Sequence, residues 1–167
     1  MPVVLERSST SEAEREIRTL IADWARALEA RDLDALFASY AENVVLFDVK
    51  PPFRLRGVDA YRAMWQACLP YFPARFAIEH RDLDVTATGD AAFAYGLVHI
   101  RPIGEESKAG QTWLRATICY ARVDGAWRVV HEHVSVPFDP MTGQAVFMTD
   151  PEEADRPFSG CAAGAAP

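Results

Sequence analysis

A chain of 167 residues and 18.5 kDa is about one ordinary domain, since domains commonly run ~100–200 residues. Half of it is hydrophobic and a quarter charged, which fits a globular protein that buries a sizeable core without disulfide or metal staples. The net charge of −7, with no Lys/Arg run, argues against duplex nucleic acid or an anionic membrane as partner. The aromatic load is 9 Phe, 5 Tyr and 4 Trp.

Residues 1–10 read as a flexible N-terminus with no secretory signal. From Ser11 to Ala30 the spacing predicts an amphipathic helix. Ile17, Leu20, Ile21, Trp24 and Leu28 form one apolar stripe, and Ser11 with Glu14 fits a capping box. Asp32 caps a second, short helix carrying Leu33, Leu36, Phe37 and Tyr40. Val44 to Phe47 is a short apolar run, partly β-branched, and reads as a strand ended by Pro51-Pro52. Gly57 precedes a third helix with Tyr61, Met64, Trp65, Cys68 and Leu69 at helical spacing.

Beyond Arg75 the signal is β. Strands are expected at about 75–87, 91–101, 111–123 and 126–136, with Thr88-Gly89-Asp90 and Asp124-Gly125 as turns. Helices followed by an antiparallel meander predict an α+β domain over residues 11–138. Residues 139–167 hold five acids against one Arg and end in Ala and Gly. They read as a C-terminal arm, with Met141 to Met148 packed on the domain and a disordered end.

Three candidate groups carry chemistry. Asp48 follows the apolar run directly, where partial desolvation makes a carboxylate a usable proton acceptor. His131 and His133 alternate along the last strand and share a face with Trp127, Val129 and Ser135, opposite Val130, Glu132, Val134 and Val136. They are read as acid/base groups or as hydrogen-bonding groups at an interface. A third ligand is missing, so neither metal nor cofactor is expected. On the preceding strand Trp113, Arg115, Thr117 and Cys119 oppose Leu114, Ala116, Ile118 and Tyr120. Which set faces inward depends on whether the Asp124-Gly125 turn is bulged. Tyr95 and its alternating neighbours fit a lined cavity or an interface. No nucleotide, serine-hydrolase or zinc-protease motif is present. Three widely spaced cysteines fit a reduced, cytoplasmic chain.

The segments "YAENVVLFD", "LRGVDAYRAMW" and "DGAWRVVHEHVSVPFD", in this order from about Ser11 to Phe147, resemble the nuclear transport factor 2-like (NTF2-like) superfamily. Within it the chain is most similar to SnoaL-like and ketosteroid-isomerase-like bacterial proteins. The resemblance implies a conical barrel of helices packed on a curved, mostly antiparallel sheet, with a pocket between them and a homodimer. Asp48, nine residues before Gly57, matches the catalytic Asp of ketosteroid isomerase. That family's oxyanion Tyr falls on Trp24 and its second donor near Thr117 or Cys119. The last strand also resembles the association domain of calcium/calmodulin-dependent kinase II, which assembles oligomers.

Two readings therefore stand. One is a small-molecule-binding protein with acid/base proton transfer of the isomerase, cyclase or hydratase type. It acts on a small apolar substrate, with Asp48 as base, His131 and His133 as further catalytic candidates, and Trp24, Tyr40, Tyr61, Trp65, Tyr95, Trp113, Arg115 and Thr117 as ligand-binding candidates. The other is a non-catalytic ligand-binding or oligomerisation module.

Overall fold

The computed structural model describes residues 11–104, 107 and 110–155. The expected flexible N-terminus and the end of the expected tail lie outside them. The elements are α1 (Glu12–Glu29), α2 (Leu33–Phe37), β1 (Tyr40–Phe47), β2 (Leu55–Arg56), α3 (Val58–Cys68), β3 (Phe76–Thr88), β4 (Ala91–Pro102), β5 (Leu114–Val123) and β6 (Ala126–Ser135).

The predicted capping box forms at α1. The Ser11 hydroxyl accepts from the Glu14 N–H, and the Glu14 carboxylate accepts from the Ser11 N–H. Such a cap contributes about 1 kcal/mol. The helix buries Ile17, Ile21, Ala27 and Leu28, with Leu20 and Trp24 packed against the same core. Asp32 caps α2 by accepting from the Ala35 N–H. Tyr40 is not on this helix as the pattern suggested. The helix ends at Phe37, and Tyr40 opens β1, its ring edge-on to Phe37.

The six strands form one mixed sheet in the order β2-β1-β6-β5-β4-β3. Only β1 and β6 run parallel. The sheet curls around the helices but does not close into a barrel. The two-residue strand β2 was not foreseen. It is too short to show a period, and pairing with Val45 and Leu46 is what makes it a strand.

Two bulges set the faces. The Asp124-Gly125 turn is a tight two-residue hairpin, with both residues at positive φ. It keeps Arg122 opposite Trp127 and Tyr120 opposite Val129. Val130 is then the extra residue, because Cys119 pairs with His131. One added residue exchanges the faces downstream. Trp127 and Val129 face inward with Glu132 and Val134. His131 and His133 turn outward, so the expected sharing of one face by Trp127, Val129, His131 and His133 is corrected. On β5 the inward set is Leu114, Ala116, Ile118 and Tyr120.

The second bulge lies in β3 between Arg81 and Asp84, where Asp82 has a φ of 52°. Gly96 of β4 lies against it. A Cβ there would stand 2.9 Å from the Arg81 carbonyl oxygen and 3.1 Å from the Leu83 Cα, both backbone. Gly96→Ala is expected to cost about 1–3 kcal/mol through this overlap, read as a lower denaturant midpoint.

Candidate active site

The concave face of the sheet, α1 and α3 enclose a cavity of about 410 Å³. That is within the ~300–1,000 Å³ range of small-molecule pockets. Its wall is mostly apolar. Trp24 and Ile21 come from α1, Tyr61 and Trp65 from α3, and Ala94, Ala116, Ile118 and Val134 from the sheet. The pleat explains this lining, because every second strand position points to the concave face.

The polar floor of the cavity is Glu132. It is the one charged residue buried among the described residues, 6% exposed. The hydroxyl of Tyr40 donates to its Oε2 at 2.6 Å, and that of Tyr61 donates to its Oε1 at 3.1 Å. Three elements meet here: Tyr40 begins β1, Tyr61 faces inward from α3, and Glu132 follows the Val130 bulge on β6. Burial pushes the Glu132 carboxyl up from its ordinary value, and the charge of Asp48 adds to the rise, while the two tyrosine hydrogen bonds oppose it. Burial also pushes both tyrosines well up, and the neighbouring Glu132 charge does so further. These phenols therefore stay protonated and act as hydrogen-bond donors.

The indole N–H groups of Trp24 and Trp65 are buried without a hydrogen-bond partner. The Trp65 indole lowers the Tyr61 pKa, yet it makes no hydrogen bond of ordinary geometry. The two indoles meet edge to face at 6.5 Å.

Asp48 lies at the end of β1 and borders the same cavity, half-buried. Its Oδ1 accepts a long hydrogen bond, 3.3 Å, from the Lys50 N–H. It follows Val44 and Leu46 in the inward alternation, and Leu46 pairs with Glu132. Two carboxyl groups in unlike surroundings therefore face one apolar space. His80 of β3 borders it too, and burial lowers the pKa of its imidazole.

Of the candidates expected from the sequence, the cavity gathers Asp48, Trp24, Tyr40, Tyr61 and Trp65. Tyr95 borders it, but its ring stacks on Phe93, is half exposed, and donates to Asp84. Trp113 is buried beside the cavity, stacked on His99. Arg115 and Thr117 lie on the outer face with His131 and His133. The His131 Nδ1 is 2.7 Å from the Val45 carbonyl oxygen, tying β6 to β1, and Phe47 packs edge-on to both imidazoles. Glu132 and His80 were not singled out from sequence. The available signal for Glu132 was an acid among inward valines. Among the described residues no group of three or more His, Cys, Asp or Glu is placed to hold a metal ion. No helix among them is long and apolar enough to cross a membrane.

Residues 17–139 match the family model described as a SnoaL-like domain. An NTF2-like protein of unknown function from Pseudomonas putida KT2440 is similar at 38% identity. The match covers 83% of this chain and 96% of that one, with a TM-score of 0.76. A Thiobacillus denitrificans protein described as a calcium/calmodulin-dependent protein kinase type II association domain is 26% identical, covering 73% of this chain and 94% of that one, with a TM-score of 0.59. A Shewanella frigidimarina protein described as a ketosteroid isomerase shares the fold at 22% identity, covering 70% of this chain and 92% of that one, with a TM-score of 0.58. No curated protein matches the sequence. With a matching family model across most of the domain, and a cavity between helices and a curled sheet, the chain belongs to the SnoaL-like domain family and has the NTF2-like, cystatin-like fold.

Proposed function

We propose that this protein binds a small, largely apolar carbonyl compound in the cavity and moves a proton on it. The chemistry is of the isomerase, cyclase or hydratase type. The observation that carries this reading is the pair of unlike carboxyls on one apolar cavity, Asp48 half-buried and Glu132 fully enclosed by two tyrosines. Unlike surroundings are how two carboxyls take different acid/base roles at one pH.

Asp48 takes a proton from the carbon next to the carbonyl. Negative charge develops on the carbonyl oxygen, and a protonated Glu132 carboxyl, which accepts from the Tyr40 and Tyr61 hydroxyls, stabilises it by donating its own O–H. Return of the proton from Asp48 to the same or a conjugated carbon completes an exchange or an isomerisation. Trp24, Tyr40, Tyr61 and Trp65 form the binding wall.

A matched pair of probes tests the binding part. 1-Tetralone carries a carbonyl that tetralin lacks, on the same two-ring skeleton. By calorimetry the ketone is expected to bind about tenfold tighter, the worth of one good hydrogen bond in a buried site. Equal affinity would remove the donor role of the floor.

The outer sheet face supports a homodimer. Phe47, Phe93 and Tyr95 are each at least 40% exposed there. An apolar, aromatic face of this kind suits a protein partner. His131, His133, Arg115 and Thr117 sit on this side and supply its polar contacts. Light scattering is expected to give twice the 18.5 kDa chain mass, and Phe93→Asp to shift it towards one chain. A single-chain mass for the native protein would refute pairing. The free thiols of Cys68 and Cys119 support a reducing, cytoplasmic setting.

A further inference from the structure

Chain beyond the family domain borders the cavity. Pro137 to Val146 forms a small self-contained hairpin. The Val146 N–H donates to the Pro137 carbonyl at 2.8 Å, and Phe138 bridges to Ala145. The Asp139 carboxylate accepts from the Met141 N–H at 2.8 Å and the Thr142 hydroxyl at 2.9 Å. Next to it, Ala145 and Phe147 line the cavity.

These residues close one particular end. Strand register places the ends of β1 and β6 and the start of β5 together, so Asp48, Val134, Val136, Thr112 and Leu114 line the same end of the cavity. The segment is fastened beside that end through Met148. The Trp113 N–H donates to the Met148 carbonyl at 2.8 Å, and the Met148 N–H donates to the Thr112 hydroxyl at 2.9 Å. Further along, Glu152 pairs with Arg81 on the surface.

The two sides of this contact are unequally anchored. Trp113 is buried and stacks on His99 at 4.9 Å, and the His99 Nε2 lies 2.8 Å from the Gly110 carbonyl oxygen. The segment itself buries little: Phe138 is 67% exposed, Met141 82% and Phe147 57%. Few buried apolar contacts and solvent-accessible hydrogen bonds are the marks of a part that opens locally at low cost.

We infer that residues 139–155 form a strap over the cavity mouth, that ligand enters when the strap lifts from Thr112 and Trp113, and that Phe147 sets the size of the molecule admitted. This rests on the cavity being a ligand site, as proposed above.

The test uses two neutral fluorescent probes, the compact N-phenyl-1-naphthylamine and the longer 1,6-diphenylhexatriene, with the full chain and two variants. Thr112→Val removes the acceptor that holds the Met148 N–H while keeping shape. By stopped flow it is expected to raise both association and dissociation rates of the compact probe by up to about tenfold, the worth of one hydrogen bond, with little change in Kd. Phe147→Ala is expected to improve binding of the long probe relative to the compact one by about tenfold. Unchanged rates and unchanged probe preference would overturn the strap while leaving the cavity reading intact. Failure of the compact probe to bind any of the three proteins would overturn the cavity reading and the strap with it. Hydrogen exchange supplies a readout free of ligand. The Trp113 amide is expected to exchange faster than the interior amides of β5, and faster still in Thr112→Val. Equal protection of Trp113 and the β5 interior would overturn the inference.

Discussion

Glu132→Ala is expected to destabilise the fold by about 2–5 kcal/mol, because it leaves the buried hydroxyls of Tyr40 and Tyr61 without their acceptor. Glu132→Gln keeps the shape and an acceptor oxygen, and is expected to cost far less. The informative difference is in pH. Burial raises the folded pKa of Glu132 above its ordinary value of 4.5. The folded protein therefore holds this proton more tightly than the unfolded chain does. The stability it contributes is complete below 4.5 and falls as pH rises towards the folded value. The slope is at most about 1.4 kcal/mol per pH unit for one group. Denaturant titrations from pH 4 upward are expected to show the wild type losing stability relative to Glu132→Gln over that window. A constant difference across the window would mean that Glu132 ionises at its ordinary value despite its burial.

Asp48→Asn is expected to reduce proton transfer on a bound ketone by about 10²–10⁴-fold, the usual contribution of a positioned general base. The amide is nearly isosteric, and the side chain is half-buried and accepts a long hydrogen bond from the Lys50 N–H, so the fold and the cavity wall should persist. Affinity for 1-tetralone is expected to change little, because the carbonyl is held at the Glu132 end rather than by Asp48. A large loss of affinity with no further loss of exchange would give Asp48 a binding role instead. The Glu132→Gln variant separates the two ends of the site. It retains the base but weakens donation to the developing oxyanion, so it should slow exchange with Asp48 still in place.

Much of this architecture was readable along the chain because local rules and tertiary packing agree. The Ser11–Glu14 box, the stripe from Ile17 to Leu28 and the Asp124-Gly125 turn each announce their own structure, and each forms. The inward course of β1 was readable in outline, since Val44-Val45-Leu46-Phe47 is apolar. Its start at Tyr40 was not, because Leu33, Leu36, Phe37 and Tyr40 also satisfy a helical period. Only the pairing of Tyr40 with Val129 on another strand decides between them.

The candidate site was legible on the helix side and less so on the sheet. Trp24, Tyr61 and Trp65 follow from stripes whose inward direction is fixed by neighbouring apolar residues. The facing of β6 follows from one residue, Val130, which no local pattern marks as a bulge. Its consequence is large: it places Glu132 in the floor and turns His131 and His133 outward. The two-residue turn alone would have given the opposite assignment for this half of the strand. Glu132 could not be told from a solvated acid without knowing that two phenols converge on it from residues 92 and 71 positions away in sequence.

The central claim is that Asp48 moves a proton on a carbonyl compound held in the cavity. It is tested most directly by nuclear magnetic resonance, following entry of solvent deuterium at the carbon next to the carbonyl of 1-tetralone. Wild-type protein is expected to accelerate this exchange, and Asp48→Asn to return it to the buffer rate with the ketone still bound. Equal exchange with the two proteins, or a ketone bound to the wild type that exchanges no faster than in buffer, would contradict the claim.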